Sequence, residues 1–291
     1  MRIGGVPEHY NAPVEKLCLQ DRSDAKWITY PSGTGAMLEA LDNGELDMAI
    51  VLTEGVVKHS LSNSSPPSVQ ILGTYLDNPL PWGVHVRVDQ GGLKSVSDVN
   101  EKMSHLTFGV SRMGSGSHLM AIVHASTLPN APLPKLKVVN TMAGARDAMV
   151  KGEIDVFLWD VTTADIYTRE GVWTCVGTVS GDWPAFVFAV RSDVSPSMLE
   201  KLVFFIDDLR TECRNMTDDI DAAVEYLRST FTLMSEEQAR HFLKIVKWNS
   251  SLEVEQKSIN RVVIALVSAG IITNPQHDSS VVVPGGKCRL V

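Results

Sequence analysis

The sequence predicts an α/β protein of two similar lobes, with a helical C-terminal tail packing on lobe one. Three observations predict it. Short β-branched runs alternate with helical patterns through the first two-thirds of the chain, one helix-end pattern occurs twice, and the chain from Ser195 onward reads as helix. Strands alternating with helices make βαβ units and parallel sheets covered by helices.

The strands come first. Arg2–Val6, Lys26–Tyr30, Met48–Leu52, Val69–Tyr75, Leu106–Val110, Lys137–Val139, Val156–Trp159 and Trp173–Val179 carry the apolar, β-branched content of buried strands. Between them, Pro13–Gln20, Gly35–Asn43, Ser115–Thr127 and Gly144–Lys151 read as helices. The tail divides into Ser195–Met216, Asp218–Thr230, Ser235–Lys247 and Leu252–Ala269, most opening on a Ser or Asp cap.

The repeat sets the domain organisation. Residues 40–48 read Ala-Leu-Asp-Asn-Gly-Glu-Leu-Asp-Met, and residues 148–156 read Ala-Met-Val-Lys-Gly-Glu-Ile-Asp-Val. Each is a helix end, a glycine fit for the left-handed position after the helix, an acidic pair and a strand. Two copies predict two α/β lobes rather than one continuous sheet. Pro81–Val86 and Trp183–Phe188 also resemble each other, each an aromatic–proline turn before an extended run, and they read as the crossings between lobes. Lobe one is then roughly 1–82 with a return over 190–291, and lobe two is the inserted 83–189. The expected ligand site is a cleft between lobes that closes about the crossings.

Composition narrows the function. The chain has 291 residues, 44% of them hydrophobic, and 26 Lys+Arg against 34 Asp+Glu give a formal net charge of −8. An acidic chain without a basic stripe argues against nucleic acid. No apolar run reaches membrane-spanning length, so membrane insertion is not expected. The N-terminus has neither the apolar core nor the cleavage site of a secretory signal, which points to a cytoplasmic protein. Cys18, Cys175, Cys213 and Cys288 are scattered, as suits buried thiols in a reducing compartment. Glycosylation sequons at Asn63, Asn215 and Asn249 carry no weight without export, and the residues after Cys288 are not the aliphatic pair that prenylation needs.

Three strand-to-helix turns carry the chemistry: Pro31–Ala36, Leu52–Gly55 and Ser111–His118. Ligands of open α/β sheets lie beyond the carboxyl ends of strands, where free backbone N–H groups and the helix dipole hold carboxylate, phosphate or sulfonate oxygens. Glycines admit a ligand to the backbone, and Ser and Thr hydroxyls add hydrogen bonds. The same residues also serve as ordinary helix caps. Neither Gly-rich turn ends in Gly-Lys-Ser/Thr, Leu38 stands where a dinucleotide fingerprint needs its third glycine, and Gly114–Ser117 is no Gly-x-Ser-x-Gly elbow. His118 and His124 stand six apart, the wrong spacing for a shared metal, and no metal or other cofactor is expected.

Arg2–Tyr10, Pro31–Met37, Leu52–Gly55, Gly109–His118 and Phe157–Thr163 resemble the type 2 periplasmic-binding-protein-like proteins of fungi and other eukaryotes. These are similar to substrate-binding proteins for thiamine pyrimidine precursors, sulfonates and nitrate. The resemblance covers about residues 1–190, and Leu17–Lys26 is shorter than the family pattern. It implies a non-catalytic protein that closes on a small polar solute, anionic or heterocyclic. From lobe one, Pro7, Glu8, His9, Gly33, Thr34, Gly35, Thr53 and Glu54 would line the site. From lobe two it implies Ser111, Arg112, Gly114, Ser115, Gly116, Ser117, Trp159 and Asp160. Trp159 would stack on a planar ring, and Glu54 or Asp160 would accept from an amine. The alternative is an enzyme like the thiamine-pyrimidine synthases of fungi; those use a cysteine-rich stretch and iron, whereas Cys175 and Cys213 stand isolated. An effector domain of a transcription regulator would need an attached helix-turn-helix.

Overall fold

The computed structural model describes residues 1–20, 24–62, 66–88, 92–231, 234–249, 252–273, 281–283 and 289–290. The Asn63 sequon, the last two residues of the Asn249 sequon, the middle of Leu17–Lys26 and the prenylation-like end at Cys288 lie outside them. The chain divides into two compact units. Unit 1 is Met1–Asn78, Trp183–Arg261 and Pro275–Val291; unit 2 is Pro79–Asp182 and Val262–Asn274.

Unit 1 holds β1 (Arg2–Gly5), α1 (Ala12–Cys18), β2 (Lys26–Thr29), α2 (Thr34–Asp42), β3 (Met48–Leu52), α3 (Thr53–Ser62) and β4 (Val69–Leu76). Unit 2 holds β5 (Trp82–Arg87), α4 (Val96–Lys102), β6 (Thr107–Val110), α5 (Gly116–Ser126), β7 (Lys135–Val138), α6 (Met142–Val150), β8 (Val156–Asp160), α7 (Val161–Arg169) and β9 (Trp173–Val179). Then follow β10 (Phe186–Arg191), α8 (Pro196–Asp218), α9 (Ile220–Thr230), α10 (Glu236–Ile245), β11 (Glu253–Val254), α11 (Gln256–Ser268) and β12 (Arg289–Leu290).

Each unit contains one five-stranded sheet, and the two sheets share one plan. Their orders are β2-β1-β3-β10-β4 and β7-β6-β8-β5-β9. The parallel sheets expected from the alternation each carry one antiparallel strand: β10 runs antiparallel to β3 and β4, and β5 antiparallel to β8 and β9. These are the two extended runs after the aromatic–proline turns, each the first strand after a crossing. No helical crossover precedes them to force a parallel approach, and a short apolar run reads alike in either direction. The tail is not wholly helical either. The start of the expected Leu252–Ala269 helix is the short strand β11, paired with β12.

The Gly-Glu-x-Asp repeat becomes matching structure. Gly44 and Gly152 end α2 and α6 at φ +68° and +69°, a backbone that glycine adopts without steric cost. Three residues on, Asp47 accepts the Arg2 N–H (2.7 Å) and Asp155 accepts the Thr107 N–H (2.8 Å). Each aspartate thereby aligns the start of β3 or β8 with its parallel neighbour, and the peptide bond is returned by Asp47 N–H to Arg2 O and Asp155 N–H to Thr107 O.

Every residue of β3 and β4 is buried: β3 is a central strand, and β4, at the edge of the sheet, is covered by tail segments. In unit 2, Phe157 and Trp173 anchor a core with Val139, Ala145, Met149 and Ile154.

Candidate functional site

In unit 1 the expected residues lie on three chain segments at the carboxyl ends of parallel strands. After β1, Pro7 is exposed, Glu8 is half-buried and His9 is buried. The His9 ring lies 4.3 Å from Tyr10 and meets Phe242 of α10 edge-on at 4.5 Å, so it is packed into an aromatic cluster. The Tyr10 carbonyl accepts from the Tyr75 hydroxyl (2.7 Å) and the Trp248 indole (3.1 Å), which fixes the loop from below.

Gly33 caps α2 and has nothing within 4 Å of where a Cβ would stand, so backbone is open to a visitor there. Thr34 is buried; its Oγ1 accepts the Leu52 N–H at 3.1 Å, and its methyl packs on Gly55. That bond ties the start of α2 to the end of β3, and Gly35 follows half-buried. Thr53 donates its hydroxyl to Pro184 O (2.6 Å) and its N–H to Ala185 O (3.1 Å). Glu54 is 2% exposed, and its Oε2 accepts the Trp183 indole N–H at 3.1 Å. Burial pushes its carboxyl up to about 7, against the pull of that indole and of its own backbone N–H.

In unit 2 the turn after β6 is a closed hydroxyl network. Ser117 Oγ accepts the Ser111 N–H (3.0 Å) and lies 3.1 Å from Ser115 Oγ, which caps α5 by accepting the His118 N–H. Arg112 N–H also donates to Ser115 Oγ (3.4 Å), and Gly114 N–H donates to His118 Nδ1 (2.9 Å). Gly116 begins the helix. Asp160 is buried and caps α7, accepting the Thr163 N–H at 2.8 Å. Trp159 is half-buried, stacked on Phe157 at 5.3 Å and packed against the unit's core. Because β6 and β8 are adjacent parallel strands, the two turns stand side by side.

Four residues escaped the sequence reading. Trp183, Phe242 and Trp248 hold the unit 1 turns from more than 120 positions away in sequence. The aromatic–proline turn at Trp183 was a signal, but it pointed only to a crossing. In unit 2, His85 on β5 is fully buried beside Trp173, and burial holds it neutral down to about 4 although Asp160 and Asp165 draw it the other way. His124 lies 2.8 Å from Asn100 Oδ1, a packing role. Among the described residues no group of three or more His, Cys, Asp or Glu is placed to hold a metal ion, and no helix is long and apolar enough to cross a membrane.

The sequence profile of the Ca3427-like PBP family matches residues 87–179, within unit 2. No curated protein sequence matches the chain. The CA3427 gene product of Candida albicans, whose structure shows the generic periplasmic binding protein fold, superposes with a TM-score of 0.84 at 23% identity, over 100% of this chain and 97% of its own. The alkanesulfonate-binding protein SsuA of Xanthomonas axonopodis pv. citri, bound to MOPS, gives 0.74 at 14% identity over 97% of each chain. A ligand-binding component of an ABC-type import system from Staphylococcus aureus, with zinc bound, gives 0.72 at 15%, over 98% of this chain and 96% of its own.

Proposed function

The chain has the two-lobed type 2 periplasmic-binding-protein-like fold, and from that premise we propose that it binds one small polar solute, without catalysis, and closes on it by hinge motion. The observation that carries this reading is the doubling of the turn chemistry. In unit 1 the turns after β2 and β3, which flank β1, carry Thr34, Thr53, the buried Glu54 and the open backbone at Gly33. In unit 2 the turns after the adjacent β6 and β8 carry Ser115, Ser117 and the buried Asp160. Helix N-termini and hydroxyls suit an anionic or polar end of the solute. Glu54 and Asp160 suit N–H donors, and the half-buried Trp159 suits a planar ring. A heterocycle with both kinds of group fits that set.

The test is a thermal-shift screen of the purified chain against thiamine precursors, sulfonates, small carboxylates and phosphate esters. A solute that binds only the native state raises the melting temperature by mass action. A rise that vanishes in Ser115→Ala/Ser117→Ala supports the reading and names the class. Because both hydroxyls belong to the α5 cap network, that variant loses about 1 kcal/mol of stability by itself, so each shift is taken from the variant's own baseline. A well-folded chain with no shift across the panel overturns the reading.

A further inference from the structure

The chain returns from unit 2 to unit 1 between Asp182 and Trp183. The first three residues after that point are fastened to the first turn of α3 by three hydrogen bonds. Thr53 supplies two, to the carbonyls of Pro184 and Ala185. Glu54 supplies the third, through Oε2 to the Trp183 indole. Thr53's bonds join neutral groups and do not vary with pH. Glu54's does: the indole N–H favours the carboxylate, but one donor does not offset the burial of a charge, so ionisation works against the closed contact.

We propose that Glu54 and Trp183 form a protonation-dependent latch: the neutral carboxyl stays buried with segment 183–185 held against α3, and ionisation loosens the segment by drawing the carboxylate toward water. The geometry isolates the pair. Among the described residues the indole is the one side-chain donor to this carboxyl, and Oε1 takes no bond. α2, β3, β4 and β10 pack against α3, and their titratable residues are engaged or turned away. Asp42 pairs with His59 of α3 at 3.0 Å, Tyr75 donates to Tyr10 O, Arg191 pairs with Asp193, and Glu39 is exposed. Lys58 of α3 is half-buried, and Asp182, beside the indole in sequence, is exposed. Burial of Glu54 brings its titration to about 7, so the latch changes state near neutrality. The pair lies within unit 1 and does not depend on the solute reading; a chain that binds nothing still passes or fails the test.

Hydrogen exchange of the indole N–H groups, followed by NMR on the full chain, reads the latch directly. Trp173 is the internal control, since its indole donates to the Ala164 carbonyl (3.1 Å), which does not titrate. Between pH 6 and pH 8, protection of Trp183 relative to Trp173 is expected to fall about tenfold, because a carboxyl that titrates at about 7 when covered and near 4.5 when exposed favours opening as it ionises. In Glu54→Gln, which keeps shape and acceptor but cannot ionise, the ratio stays constant. In Trp183→Phe, which leaves the carboxyl buried without its donor, the Ala185 and Thr53 amides keep a pH step. A flat ratio in the wild type, or the same fall in Glu54→Gln, overturns the proposal; the wild-type ratio decides even where a variant fails to fold.

Discussion

Two buried residues, one in each unit, give the chain opposite responses to pH. Glu54 has a folded-state value raised to about 7 from an ordinary 4.5, so the native state binds more protons than the unfolded chain between those values. Its stabilising contribution is complete below about 4.5 and is lost as pH rises through about 7, a change on the order of 3 kcal/mol. His85 is lowered to about 4 from 6.5, so its contribution is complete above 6.5 and is lost as pH falls towards 4. Between 4.5 and 6.5 the slopes oppose. Urea unfolding of Glu54→Gln should therefore show two changes from wild type: a gain in relative stability at pH 8, and a steeper fall on acidification because His85 is no longer offset. Equal ΔΔG for Glu54→Gln at pH 5 and pH 8 would show that the carboxyl is not buried as described.

At the scale of elements, the repeat was legible because its causes are local. A glycine after a helix, an acidic pair and a strand predict the same turn wherever they occur, and Gly44 and Gly152 adopt it to within 1° in φ. A methyl at either position would meet only the movable head of Arg191 or Arg87, so backbone strain dominates the cost. Gly44→Ala and Gly152→Ala should each lose about 1 kcal/mol, read as matched shifts of the urea midpoint; a loss at one site alone would break the equivalence of the repeats. The turns at 33–35 and 111–117 were legible for the same local reason. Strand direction was not, since nothing within Trp82–Arg87 or Phe186–Arg191 says which neighbour it meets. Nor was the Glu54–Trp183 bond, made across 129 positions, or the support of the His9–Tyr10 turn, from Phe242 on the His9 ring and Trp248 on the Tyr10 carbonyl. Pairing at such distance follows from the closed fold and leaves no periodicity to read.

At the scale of the whole chain, the tail does more for unit 1 than cover it. β4 is an edge strand of the first sheet, and all eight of its residues are buried. An apolar edge with free N–H and C=O groups invites pairing with another chain. Tail segments occupy this one. Leu76 pairs with Trp248 and Ile71 with Val282 as isolated bridges, Asn249 N–H donates to Tyr75 O (2.7 Å), and Val283 N–H donates to Ile71 O (2.9 Å). Trp248 anchors this seam, since its ring also meets Phe242 and its indole reaches Tyr10 O. Trp248→Ala removes the ring and the indole bond together, and should cost roughly 2–4 kcal/mol. The edge beneath is then covered less tightly, so self-association should rise with protein concentration. Light scattering beside urea unfolding separates the two effects: a Trp248→Phe variant keeps the packing and should scatter as the wild type does while losing only about 1 kcal/mol for the missing hydrogen bond. If Trp248→Ala is destabilised yet remains monodisperse at every concentration, the seam stabilises unit 1 without guarding its edge.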